Sequence, residues 1–162
     1  MINVCVLTIS DRCSAGARKD DESGRRIKEE AGRAGWFVAG YRVVPDEKEE
    51  ISAVLERYSD MQRADLVLTT GGTGLGGRDV TPEATAAVLE KEVPGLAEIM
   101  RIKTFDKAMF SVLSRGVAGV RGKTLIINLP GSPDAVKECL EVILPVIPHA
   151  LEMIKGAGHD HE

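Results

Sequence analysis

The sequence predicts an α/β fold: a three-layer α/β/α sandwich on a mostly parallel sheet that carries one antiparallel hairpin. Three observations lead there. Short apolar runs alternate along the chain with segments of helical periodicity, the pattern of successive βαβ units. One run, Leu66–Thr70, has the unbroken apolar character of a strand buried on both faces, and it passes directly into a glycine-rich loop and a helix start. Near the C-terminal third, residues 116–121 and 123–128 read as two strands joined by a tight turn at Gly122.

Composition sets the bounds. The chain has 162 residues, one ordinary domain able to bury about 70% of its unfolded surface. Hydrophobic residues at 43% and charged residues at 28% are those of a globular protein rather than a disordered one. A formal charge of −4 gives no basic excess for nucleic-acid binding. No apolar run approaches the roughly 20 residues that span a bilayer, and no leader precedes the first strand, so the expected location is the cytoplasm. Cys5, Cys13 and Cys139 form no CxxC pair and read as reduced thiols.

In chain order, residues 3–9 are β-branched and apolar and should form a central strand. A polar loop leads to a helix over about 21–34, on which Ile27, Ala31 and Ala34 make a narrow apolar stripe. Residues 36–44 form the second strand, stopped by Pro45. Asp46 with Glu49 resembles an acidic capping box, and Ile51, Val54, Leu55 and Tyr58 recur at helical spacing up to about Asp60. After the Leu66–Thr70 strand and its loop, Thr81 is the expected N-cap and Pro82 the first helical residue. Pro94–Gly95 reads as a break before a short helix over 96–104, while 105–116 has no legible pattern. Ser132 should cap a helix over 133–143, and a second helical piece over 145–155 should end at Gly156. The domain thus covers 1–156, with 157–162 a frayed tail in which His159 and His161 need no metal to explain them.

The chemistry concentrates at two loops. Gly71, Gly72, Gly74, Gly76 and Gly77 follow a strand and precede a helix, where glycines let backbone N–H groups approach an anion. The expected guest is a phosphate. Gly72, Gly74 and Gly77 fit GxGxxG, but the helix starts only at Thr81, too late for a dinucleotide fold. Gly122-Lys123-Thr124 imitates a P-loop ending but is followed by a strand. Asp46 and Asp79 each suffice as caps. Placed after strand ends of one sheet, however, both face one crevice, and paired carboxylates beside phosphates are the usual holders of Mg²⁺. Arg12, Arg78 and Arg115 are available to pair with anionic oxygens.

LTISDRCSAG, VVPDE, TTGGTG with RDVTPEAT, LSRGVAGVRGKTLIINLPGSP and HALEMIKG, in that order, resemble the MogA/MoaB family of molybdenum-cofactor biosynthesis, whose domain also occurs in gephyrin. The similarity runs from about Asn3 to Gly156. It implies a MogA/MoaB-like fold and an enzyme, a molybdopterin adenylyltransferase with ATP and molybdopterin as substrates and Mg²⁺ as cofactor. It implies Asp46, Asp79 and Ser114 as catalytic residues, the two aspartates also as the Mg²⁺ ligands. It implies substrate contacts at Ser10, Asp11, Gly71, Gly72, Thr73, Gly74, Arg78, Asn128, Pro130, Gly131 and Ser132. The expected partners are copies of the chain in a trimer or hexamer, and other molybdenum-cofactor enzymes. A non-catalytic molybdopterin-binding paralogue and a pathway scaffold are the alternatives. Retention of Asp46, Asp79 and Ser114 favours the enzyme.

Overall fold

A computed structural model describes residues 1–156. Four parallel strands form the middle and one side of its sheet. Central β1 (Asn3–Ile9) lies between β2 (Phe37–Val44) and β3 (Leu66–Thr70), and β3 pairs with β6 (Thr124–Leu129). Beyond β6 the direction reverses, with β5 (Ala118–Arg121) antiparallel to β6 and to the two-residue edge strand β4 (Lys91–Glu92). The order is β2-β1-β3-β6-β5-β4. The expected sandwich, its parallel centre and its hairpin are all present.

Apolar residues run without interruption along β1, β3 and β6 because both faces of the sheet are covered. Val4, Val6, Leu66, Leu68, Leu125 and Ile127 pack on one face, against α2 (Glu22–Arg33), α5 (Pro94–Thr104), α6 (Pro133–Ile143) and α7 (Ile147–Lys155). Cys5, Leu7, Val67 and Ile126 point to the other, against α3 (Lys48–Glu56), the π-helical turn Arg57–Met61 and α4 (Thr81–Ala86). Successive strand side chains alternate between faces, so each strand feeds two cores.

Several boundaries differ from the sequence expectation, each for a local reason. The polar segment after β1 contains a four-residue helix, α1 (Asp11–Ser14), whose Cys13 N–H donates to the Ser10 hydroxyl oxygen at 3.2 Å. The capping box at Asp46 does not form: α3 is capped from Glu47 without a side-chain bond, because the Asp46 carboxylate is engaged elsewhere. At α4 the N-cap is Val80, and Thr81 is the first helical residue. Its hydroxyl donates instead to Gly71 O at 2.9 Å. Pro94 starts α5 rather than breaking the chain, a position where a missing N–H costs nothing. The illegible stretch holds a 3₁₀ turn, Met109–Leu113. Helix α7 begins at Ile147, and Gly156 ends it with φ of 86°. Ser132 caps α6 as expected.

Candidate active site

All four parallel strands release their chains at the same edge of the sheet. Ser10 and Asp11 follow β1, Asp46 follows β2, residues 71–80 follow β3, and Pro130 to Ser132 follow β6. This is where a twisted parallel sheet opens a crevice. The cavity there has a volume of about 570 Å³, within the usual range for a small-molecule site. Gly72, Thr73, Gly74, Leu75 and Asp79 form one wall, Asn128, Pro130 and Gly131 the floor, and Ser114 and Gly116 an adjoining side. The opposite wall comes from α5, the 3₁₀ turn and α6, including Met100, Arg101, Phe110, Leu113, Glu138 and Cys139.

The glycine loop has its shape because two residues sit at positive φ, Gly71 at 95° and Gly72 at 68°. A Cβ on Gly71 would stand 2.2 Å from Ile9 O, and one on Gly72 2.2 Å from the Thr81 hydroxyl oxygen. Only glycine fits at both. The chain is then tied down by Thr81 N–H to Gly72 O at 3.1 Å, by Asp79 N–H to Gly76 O at 3.0 Å, and by Gly76 N–H to Asp79 Oδ2 at 2.9 Å. Among the described residues, the N–H groups of Gly72, Thr73, Gly74 and Leu75 donate to no protein acceptor. Four successive residues that line the cavity thus carry open N–H donors, the arrangement an anion cradle requires.

Asp46 lies beside this loop, outside the cavity lining. Its Oδ2 accepts from Asp11 N–H at 2.9 Å, and Asp46 N–H donates back to Asp11 Oδ1 at 3.0 Å. Its Oδ1 faces Gly72, 3.1 Å from where a Cβ would be. Burial first, then the charges of Asp11 and Asp79, push the Asp46 carboxyl above the usual carboxylate range. Asp79 therefore lies close enough to be felt electrostatically. Two carboxylates flanking a row of N–H donors suit Mg²⁺, which takes one or two carboxylates and completes its shell with phosphate oxygens and water. Among the described residues no group of three or more His, Cys, Asp or Glu side chains is placed to hold a metal, so any ion here would need phosphate oxygens and water for most of its ligands.

The remaining expected residues divide by role. Asn128 is 2% exposed and its amide is consumed: Nδ2 donates to the Thr69 and Thr85 hydroxyls at 3.0 Å, and Oδ1 accepts from Val117 N–H at 3.1 Å. It fixes the floor. Ser10 and Ser132 are occupied as helix caps. Arg78 is turned to the rim, where Nε and Nη2 grip Asp11 at 3.1 and 3.0 Å and Nη2 also meets Glu47 at 2.8 Å. That grip holds the Asp11 carboxyl below its ordinary range. Arg101 had no role in the sequence reading, and Arg115 stood there only as one of three arginines available to pair with anionic oxygens. Arg101 Nη1 donates to Ser114 O at 3.2 Å and Gly116 O at 3.1 Å, and Arg115 contacts the glycine loop. For Arg115 the adjacency to Ser114 in LSRG was a usable signal; nothing in the pattern marks Arg101.

Comparison with known proteins agrees with this architecture. Residues 5–149 match the family described as a probable molybdopterin binding domain. A molybdopterin adenylyltransferase of Helicobacter pylori is 43% identical over 157 residues, covering 96% of this chain and 89% of that one. Gephyrin of Dictyostelium discoideum is 43% identical over 94% of this chain but only 22% of its own length. Among solved structures, the molybdopterin biosynthesis enzyme MoaB of a Thermus species superposes with a TM-score of 0.91 at 51% identity, covering 96% of this chain and 98% of that one. The glycine loop, the two aspartates and Ser114 thus stand in a fold and sequence shared nearly end to end, and the chain belongs to the MogA/MoaB family of molybdopterin-binding, molybdenum-cofactor biosynthesis proteins.

Proposed function

We propose that the protein is a molybdopterin adenylyltransferase that joins AMP from Mg-ATP to molybdopterin and releases pyrophosphate. The observation that best supports this reading is the meeting of Asp79, Ser114 and four open loop N–H groups in one cavity, with Asp46 alongside. A terminal oxygen of the molybdopterin phosphate attacks the α-phosphorus of ATP in line. The bond from that phosphorus to the β-phosphate oxygen breaks, and pyrophosphate leaves with the electron pair. Both reactants are anions, so most of the catalysis is positioning and charge neutralisation.

The parts divide accordingly. The N–H groups of Gly72 to Leu75 bind phosphate oxygens from one side, with Gly71 setting the turn that presents them. Asp46 and Asp79 would hold Mg²⁺, which would supply positive charge to neutralise the phosphates. The Ser114 hydroxyl donates to the substrate phosphate. The floor of Asn128, Pro130 and Gly131 and the apolar far wall receive the pterin. Ser10, Asp11, Arg78 and Ser132 keep the rim loops in register around it. Incubation with molybdopterin and Mg-ATP tests the reading. Pyrophosphate and adenylyl-molybdopterin should appear in equal amounts, whereas tight molybdopterin binding without pyrophosphate would make the protein a non-catalytic paralogue.

For assembly we propose a homotrimer, alone or paired into a hexamer. Besides the family resemblance, it is supported by an apolar face on which Ile102, Phe105 and Val112 are exposed around a second hollow of about 460 Å³. Light scattering should return a multiple of three chains; a monomer at micromolar concentration would refute it. Among the described residues no helix is long and apolar enough to cross a membrane, and the cytoplasm is the compartment we propose.

A further inference from the structure

We propose that Arg115 aims the phosphate-binding amides from behind the loop, as a positioning residue and not as a ligand for the substrate's charge. The inference rests on the adenylyltransferase reading for the identity of the anion. An arginine beside a phosphate loop would ordinarily be read as a phosphate partner. Here the geometry points the other way. Ser114 and Gly116 line the cavity, and the Arg115 side chain between them does not.

Its donors go to the back of the loop. Arg115 N–H donates to Thr73 O at 2.9 Å, Nε to Gly74 O at 2.8 Å and Nη2 to Asp79 O at 2.8 Å. Nη1 pairs with the Glu83 carboxylate, which stands in the first turn of α4 and fixes the guanidinium plane. In a trans peptide the C=O and the following N–H point in opposite directions. Pinning Thr73 O and Gly74 O towards Arg115 therefore turns the N–H groups of Gly74 and Leu75 away from it. Those are two of the open donors of the cavity wall. The bond to Asp79 O places the main chain of the acid by the same guanidinium. One residue, next in sequence to Ser114, thereby sets the relative positions of the cradle, Asp79 and Ser114.

A lysine cannot reproduce this, because its ammonium is a single point and the acceptors lie at three separate directions around a planar fork. The test uses inorganic pyrophosphate, the product expected of the reaction, titrated into the full chain while the amide resonances of Gly72, Thr73, Gly74 and Leu75 are followed. In the wild type these amides should shift on binding. In Arg115→Ala they should respond weakly and affinity should fall by about 100-fold, the scale of loss from a misplacement near 1 Å. Arg115→Lys should stay impaired despite its charge, and added guanidinium ion should restore binding to Arg115→Ala. Glu83→Gln, which leaves the fork in place but loosens it, should lose less, about tenfold or under.

Wild-type affinity and amide shifts in Arg115→Ala, with its fold intact by circular dichroism, would overturn the proposal. So would full recovery in Arg115→Lys, which would mean that charge alone suffices. An Arg115→Ala protein that does not fold leaves Arg115→Lys and Glu83→Gln to decide by the same shifts. Shifts in the wild type from a protein that forms no adenylyl-molybdopterin would remove the functional reading and leave the positioning role standing.

Discussion

The wall of the cavity made by residues 71–79 and 114–116 differs from the wall made by 97–113 in what holds it. On the first, side chains hold the main chain: the Thr81 hydroxyl reaches Gly71 O, Arg115 reaches Gly74 O and Asp79 O, and the Asp79 carboxylate accepts from Gly76 N–H, while the N–H groups of Gly72 to Leu75 meet no protein acceptor. On the second, helix α5 and the 3₁₀ turn supply the backbone bonds, Arg101 ties the wall across to Ser114 O and Gly116 O, and most of the lining side chains are apolar, with Phe110 and Leu113 75% and 48% exposed. A polar wall held by directional bonds can keep charges to a fraction of an ångström, as phosphoryl transfer requires. We propose that the polar wall carries the chemistry and that the more apolar wall, whose exposed side chains can adjust, receives a flat ring system; the experiments below separate the two roles.

The largest effect belongs to the aspartates. Asp79→Asn and Asp46→Asn each keep an oxygen for the loop N–H or for Asp11 N–H, but lose the charge. Pyrophosphate release should fall by a factor of about 100 or more, on the scale of about 3 kcal/mol for a lost charge-stabilising group. Melting temperatures should barely change. Near-normal turnover in both would return these residues to turn-making.

Next come the glycines, which separate shape from site on the same wall. Gly71→Val places a Cβ against Ile9 O at a positive φ and should cost about 3 kcal/mol or more of stability in urea unfolding. Gly74 has an ordinary φ, and an added Cβ would meet only the Asp79 carboxylate, at 2.9 Å. Gly74→Val should therefore fold while binding ATP or molybdopterin more weakly. Equal stability losses at the two positions would deny the distinction.

On the apolar wall, Phe110→Ser should raise KM for molybdopterin about tenfold, since an aromatic contact is worth about 1 kcal/mol, with kcat within about twofold. A fall in kcat at unchanged KM would place chemistry on the wrong wall. The smallest effect is one of pH. The folded protein holds the Asp46 proton more tightly than the unfolded chain, so stability falls as pH rises from the ordinary carboxyl value through the raised one. Asp11, held low by Arg78, acts in the opposite sense: its stabilisation is lost as pH drops below the ordinary value. Asp46→Asn should abolish the first fall and leave the second, as chemical denaturation across acid pH would measure.

The two walls were also unequally legible in the sequence. The polar wall announces itself because its requirements are local: glycines where φ is positive, Pro82 at a helix start, an apolar run for a strand buried on both faces. Even there, Asp46 misled. Capping and active-site placement demand the same residue type, and only the fold reveals that its carboxylate reaches Asp11, 35 positions away. The apolar wall has no such signature. The 3₁₀ turn Met109–Leu113 exposes Met109, Phe110, Val112 and Leu113, so neither helical nor strand periodicity survives there. Arg101 acts on carbonyl oxygens, which every residue possesses, and so leaves no trace in the pattern, whereas Arg115 is marked only by its place beside Ser114.

We propose that the chemistry runs through a metal that Asp79 on the polar wall and Asp46 beside it would share with the substrate phosphates. The direct measurement is a Mg²⁺ titration of pyrophosphate release, at saturating molybdopterin and ATP, in the wild type, Asp46→Asn, Asp79→Asn and Phe110→Ser. The account predicts a half-saturating Mg²⁺ concentration raised about tenfold or more in both aspartate variants and unmoved in Phe110→Ser. The same half-saturating concentration in all four proteins would contradict it.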